Sequence, residues 1–212
     1  MILQSIFQTI KTNRYTRKDK FKIMRIITGS ARGTRIETLE GEQTRPTAEK
    51  VKEALFSMIQ FDIDGRRVLD LFGGSGQLGL EALSRGAASA TFVDSNRDAT
   101  EIIKKNAQKT KLFEKSRVLT TDWESFLKGA SGREKYDIVF VDPPYAAGIA
   151  HKAIDRLCEG DLLADNALVV CETADRDPVE HEQLSICKHS KYGKTYITLY
   201  LNGVSDNDIE MA

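Results

Sequence analysis

What the chain lacks narrows it before any motif is read. No apolar run approaches the ~20 residues of a membrane-spanning helix, and no apolar core with a small-residue cleavage site marks a secretory leader. Cysteine is scarce: Cys158, Cys171 and Cys187 stand far apart with no Cys-x-x-Cys pair, which reads as buried free thiols in a reducing cytoplasm. With only three histidines and no His/Cys cluster, no metal site is expected. Net charge is zero, so no bulk field draws the protein to nucleic acid. There is no repeat and no low-complexity tract.

The charge that is present is unevenly placed. Residues 1–23 carry Lys11, Arg14, Arg17, Lys18, Lys20 and Lys22 against Asp19, a net of +5, leaving −5 on residues 24–212. Any nucleic-acid contact must therefore come from a local patch. A length of 212 residues fits one domain with a small appendage, at ~150 residues per domain. The expected division is a basic extension over 1–23, a body over 24–203 that begins with an appendage over 24–60, and a tail over 204–212.

Residues 24–39 read as a hairpin, Met24–Thr28 and Thr34–Thr38 around a loop with glycine at both ends. It is either a solvated hairpin packed on a sheet edge or a basic finger carrying Arg32 and Arg35. Thr44-Arg45-Pro46-Thr47 opens a helix in which Val51, Ala54, Leu55, Met58 and Ile59 make an apolar stripe, with Lys50, Lys52 and Glu53 off it. From Arg67, strands alternate with helices: Val68–Phe72, Ala90–Val93, Arg117–Thr120, 137–141 and Ala167–Cys171, then a terminal hairpin around Tyr192-Gly193. Ser95-x-x-Asp98 reads as a capping box. This alternation predicts a parallel α/β sheet covered on both sides.

Two stretches carry chemistry. Ile138-Val139-Phe140-Val141 reads as a strand buried on both faces, ending in Asp142-Pro143-Pro144-Tyr145. The prolines stiffen the turn and contribute no N–H, so it is rich in acceptors. An amino group would donate to the Asp142 carboxylate and the Pro143 carbonyl while Tyr145 stacks on the attached base. The competing reading is a rigid turn whose aspartate caps the next helix near Gly148. Upstream, Gly74-Ser75-Gly76-Gln77-Leu78-Gly79 matches the dinucleotide fingerprint, with Asp94 20 residues beyond Gly74. An NAD(P)-dependent dehydrogenase is thus a rival. Against it, Asp70 within the preceding strand suits a cationic amino-acid moiety, no room remains for a substrate domain, and the histidines lie beyond the site. S-adenosylmethionine is the better ligand: glycine backbone for its methionine end, Asp94 for the ribose diol, Asp122 for the adenine amino group, with Trp123 a candidate edge.

Taken together, Met24-Arg25-Ile26-Ile27-x-Gly29, Thr44-Arg45-Pro46-Thr47, Asp70-Leu71-Phe72-Gly73-Gly74-Ser75-Gly76, Glu81-Ala82 before Ser84-Arg85-Gly86, and Asp142-Pro143-Pro144-Tyr145 resemble the bacterial small-subunit (16S) rRNA guanine-N2 methyltransferases of the RsmD type. Gly73 departs from the alanine common in that family. The resemblance implies a Rossmann-like class I methyltransferase, a seven-stranded mostly parallel sheet with a reversed last strand plus the N-terminal hairpin and helix. It implies methyl transfer at Asp142, Pro143, Pro144 and Tyr145, cofactor contacts from Asp70, Phe72, Gly73, Gly74, Ser75, Gly76, Asp94 and Asp122, and RNA contacts from Arg32, Arg35, Arg45 and Thr47. The substrate would be 16S rRNA in the small ribosomal subunit or its assembly intermediate, in the cytoplasm, with no obligate protein partner. Adenine-N6 or glutamine methylation and a non-catalytic RNA-binding scaffold are the remaining alternatives.

Overall fold

The computed structural model describes residues 24–39, 46–144 and 148–203, with 46–48 described as backbone only. Residues 1–23, Arg45 and Tyr145, and the Thr47 side chain, lie outside that description. In chain order come β1 (Met24–Arg25), β2 (Arg35–Ile36), α1 (Pro46–Met58), β3 (Arg67–Asp70), α2 (Gln77–Ser84), β4 (Ser89–Asp94) and α3 (Arg97–Lys109). After a single 3-10 turn follow β5 (Ser116–Thr120), α4 (Trp123–Ala130), β6 (Tyr136–Val141), α5 (Ile149–Glu159), β7 (Leu163–Thr173), β8 (Leu184–Tyr192) and β9 (Thr195–Asn202). No described helix is long and apolar enough to cross a membrane.

Seven strands form one sheet in the order β5-β4-β3-β6-β7-β9-β8. Strands β3 to β7 pair in parallel, and β9 runs antiparallel to both β7 and β8. The expected reversed last strand is therefore present, wedged inside the sheet. β6 is the middle strand, and this explains its unbroken apolar run. Ile138 and Phe140 enter the core under α1, α2 and α3, while Val139 and Val141 enter the one under α4 and α5.

The N-terminal hairpin is shorter than the sequence indicates, and it packs elsewhere. β1 and β2 pair over only two residues each. Beyond Ile26 the backbone turns to helix α2: the Ile27 and Thr28 amides donate to the Glu81 carboxylate (2.7 and 3.0 Å), Ser30 N to Ser84 O (2.8 Å) and Ala31 N to Ser84 Oγ (3.0 Å). A Cβ on Gly29 would lie 1.7 Å from the Ser84 carbonyl oxygen, so this contact is backbone against backbone. The hairpin is thus bonded to a helix and not laid on the sheet edge.

That docking also corrects the placement of Lys52. Its side chain is 2% exposed, donates to Arg25 O (2.8 Å) and lies 3.3 Å from Glu81 Oε2. Burial pushes the Lys52 amine below its usual range, and Glu81 pulls it part of the way back. Val51, Leu55 and Ile59 of the expected stripe are buried, joined by Phe56, over which the Arg85 guanidinium sits at 4.7 Å. Helix α3 is capped by Asn96, accepting from Asp98 N, instead of by Ser95. Cys158 and Cys171 are buried as expected, but Cys187 is exposed because β8 is an edge strand.

Candidate active site

The two motif-bearing turns leave neighbouring strands at the same end of the sheet. In the parallel β3–β6 pair, Val68, Leu69 and Asp70 face Ile138, Val139 and Phe140, and Leu71 N donates to Phe140 O (3.1 Å). With strands about 4.8 Å apart, the glycine turn after β3 and Asp142-Pro143-Pro144 after β6 open side by side on the carboxyl rim. β4 and β5 end there too: Gly73 N donates to Val93 O, and Thr121 N to Asp94 O.

The glycine turn is built from its own backbone. Gly76 N closes on Gly73 O (2.6 Å), and Gly76, at φ 77°, serves as N-cap of α2. Gly79 meets the third demand of the fingerprint, close packing of helix on strand, since a Cβ there would come within 2.3 Å of the Phe92 ring. A Cβ on Gly73 would meet only the end of the Ile103 side chain, at 2.9 Å, so alanine there asks for a small shift of a flexible group. Ser75 O is held by Asn106 Nδ2 (2.9 Å), which also donates to Glu37 O (2.8 Å), while Asn106 Oδ1 accepts from Glu37 N (2.9 Å). Asn106 therefore ties the exit of the hairpin to this turn. Sequence reasoning passed over it, yet a signal existed: it occupies the i+7 position of the apolar stripe Ala99, Ile102, Ile103, Asn106, Ala107.

The four predicted carboxylates stand at the rim, and the structure gives each different surroundings. Asp70 is 2% exposed and accepts from Gly79 N (3.0 Å), placing negative charge under a helix with no acidic residue in its first turn. The sequence points the same side chain at a cationic ligand group. Asp94 accepts from Gly74 N (2.9 Å) and Asn96 N (2.8 Å), one per oxygen, and a carboxylate oxygen has a second lone pair beyond the one so used. Asp122 is exposed and caps α4 through Ser125 N (2.9 Å), and that amide holds its carboxyl below the usual range. Asp142 is half-buried at the end of β6. Burial, then the Asp142 charge, pushes the neighbouring Cys171 thiol up to about 12, so this cysteine stays a protonated wall group. The N-cap of α5 is Gly148, with no side-chain hydrogen bond capping it.

The rim has the features of a site for a polar, aromatic ligand. Ser75 Oγ and Gln77 Oε1 are buried beside the glycine turn with no hydrogen-bond partner among the described residues. Polar atoms in that condition are costly unless something bonds them. Across the rim, the rings of Phe72 and Trp123 sit 6.1 Å apart, both half-buried. A glycine cradle with orphaned polar atoms, a carboxylate with spare acceptors and a half-buried ring pair together fit an adenosyl amino acid. Not every predicted residue joins this group. Arg32 is exposed in the loop bonded to the far end of α2, about 12 Å along an eight-residue helix from the glycine turn. Arg35 is exposed on β2.

Comparison with known proteins places these features in a family. The family described as conserved hypothetical protein 95 matches residues 24–201. Ribosomal RNA small subunit methyltransferase D of Haemophilus influenzae is 38% identical over 181 residues, 84% of this chain and 94% of that protein. The solved structure of the Escherichia coli protein yhhF superposes with a TM-score of 0.78 at 34% identity, over 87% of this chain and all of that one. An RNA methyltransferase from Salinibacter ruber, solved with S-adenosyl-L-homocysteine, shares the fold alone at 15% identity and a TM-score of 0.58, over 76% of this chain and 97% of that one.

Proposed function

From the premise that the chain belongs to the conserved hypothetical protein 95 family, whose curated relatives include small-subunit rRNA methyltransferases, we propose that it methylates the exocyclic N2 amine of a guanine in small-subunit (16S) rRNA. It is an S-adenosylmethionine-dependent rRNA methyltransferase; the target base and atom are the finer part of the reading. The observation that carries them is the half-buried carboxylate followed by two prolines, one strand away from the glycine turn on the same rim. The substrate would be met on the small subunit or its assembly intermediate in the cytoplasm.

S-adenosylmethionine, when bound, supplies an electrophilic methyl group on a sulfonium. The chain's own part is to hold and orient the acceptor. A guanine amine is a poor nucleophile because its lone pair is delocalised into the ring. The Asp142 carboxylate and the Pro143 carbonyl would accept its two hydrogens, favouring a tetrahedral nitrogen with its lone pair directed away from the ring. Tyr145 would hold the base by stacking. Once the nitrogen is alkylated, the proton it sheds passes to Asp142, which is why a base strong enough to deprotonate the neutral amine is unnecessary. Positioning of this kind can recover about 7–11 kcal/mol of a barrier. The base must leave its stack first, at a cost of a few kcal/mol, less in a loop.

The test is transfer of a labelled methyl group to small subunits, naked rRNA and DNA, followed by nucleoside analysis. N2-methylguanosine is expected; label in N6-methyladenosine, in DNA or in protein overturns the reading. Asp142→Ala should lower turnover at least a hundredfold while calorimetric affinity for S-adenosylhomocysteine is unchanged. Full turnover by that variant would remove Asp142 from the mechanism.

A further inference from the structure

The hairpin formed by β8 and β9 closes the sheet on the side of β6 away from the glycine turn. β7 runs parallel to β6 with Cys171 opposite Val141, and β9 answers β7 with Tyr196 opposite Thr173. The residues level with Asp142 are therefore Glu172 on β7 and Ile197 on β9, and the turn beyond Tyr196 stands on the active rim. That turn is tight, Gly193-Lys194 between the paired Tyr192 and Thr195. Strand spacing puts β9 about 10 Å and β8 about 15 Å from β6, on the side away from the glycine turn.

The hairpin's own tip residues carry one sign of charge, beside the largely buried Glu172 of β7, and its rings are ordered. Residues 188–196 carry Lys188, Lys191 and Lys194 and no acidic side chain. All three lysines are exposed, and none has an ion-pair partner among the described residues. The Lys191 ammonium sits 5.4 Å over the Tyr196 ring, whose other neighbour, His189, stacks on it at 5.3 Å with 7° between planes. His189 is locked by Thr198 Oγ1 (2.8 Å) and Arg176 O (2.9 Å), so this stack is preformed. The connection between β7 and β8 begins at the rim, where Thr173 Oγ1 donates to Asp175 O (3.3 Å) and Arg176 O meets His189, and then leaves it: Val179 packs on the core under α4 and α5, and His181 bridges to Leu184 at the other end of β8. On a body of net charge −5 beyond residue 23, an exposed basic tip with aromatic rings is a local match for phosphate and stacked bases.

We infer that the tip of the β8–β9 hairpin, Lys191 and Lys194 with the Tyr196 ring, is an RNA-gripping element that holds the strand flanking the target nucleotide beside Asp142. This rests on the rRNA-methylating reading and adds its second contact surface, on the side of the site opposite the N-terminal hairpin. The test is the full chain carrying Lys191→Glu and Lys194→Glu, with Lys191→Arg/Lys194→Arg as the conservative control. Binding to naked 16S rRNA and to small subunits is measured by filter retention at several salt concentrations. The Glu pair should weaken both at least tenfold, shrink the slope of log affinity on log salt by about two, raise KM and spare kcat at saturation. The Arg pair should behave as wild type, and affinity for S-adenosylhomocysteine and melting temperature should not move in either. Unchanged rRNA affinity and slope in a folded Glu pair that still methylates rRNA overturns this inference alone. An effect on subunits without one on naked rRNA overturns it in favour of a ribosomal-protein contact. A wild-type chain that methylates DNA or protein in place of rRNA overturns the functional reading and this inference together.

Discussion

Gly79 and Gly76 belong to one motif but resist substitution for different reasons. Gly79 has no room: its Cβ would enter the Phe92 ring, and neither helix nor strand can yield without parting. Gly79→Ala should lower stability by about 1–3 kcal/mol, read as a fall in melting temperature; an unchanged midpoint would show that the α2–β4 spacing is soft. Gly76 is less crowded, with a Cβ 3.2 Å from the flexible Ile103 side chain, but it has the wrong hand, with φ at 77°. Gly76→Val should leave the sheet folded and abolish calorimetric binding of S-adenosylhomocysteine, and unchanged affinity would refute the assignment of this turn to the cofactor. At this scale the glycines were legible because their spacing carries the geometry. The carboxylates were less so: Asp70 and Asp94 end strands and Asp122 opens a helix just past one, and a carboxylate there serves a ligand or a helix amide equally well on paper.

At the scale of elements, α4 offers the sharpest case. Asp122 caps it through Ser125 N, and the bond lowers the pKa of its carboxyl. A carboxyl depressed in the folded state stabilises above its unfolded value near 3.8, and that stability is lost as pH falls through the lowered folded value. The difference in stability between wild type and Asp122→Ala should therefore be constant at neutral pH and close under strong acid. A difference that persists unchanged in strong acid would assign the effect to something other than the ionised cap. If Asp122 also meets adenine, the same variant weakens cofactor binding at neutral pH. The strands were read correctly to within a few residues from their apolar runs, since a centre-sheet strand needs no partner to announce itself. The N-terminal hairpin was over-extended, because what shortens it is Glu81, more than fifty residues away along the chain.

At the scale of the whole molecule, Glu81 joins the N-terminal appendage to the half that carries the glycine turn. It is fully buried and gathers Ile27 N, Thr28 N, Lys52 and Arg85. Removing one partner of such a cluster strands the rest: Glu81→Leu should cost about 3–5 kcal/mol in denaturant unfolding, more than Lys52→Met, which leaves the carboxylate its amides and Arg85. Equal costs would mean that the ion pair, and not the backbone docking, holds the hairpin. The order of strands and helices, the apolar middle strand, the glycine turn and the acidic-proline corner were all determined by the sequence alone, because each is written in contiguous residues whose spacing is a local physical signal. Only the tertiary structure decided that β9 inserts between β7 and β8, that the basic tip of their hairpin rises at the rim, that Lys52 is inside, and that Asn106 and Glu81 bind distant segments. Those are contacts between residues far apart in the chain, and a hydrogen bond or ion pair across such a distance leaves no periodicity to read.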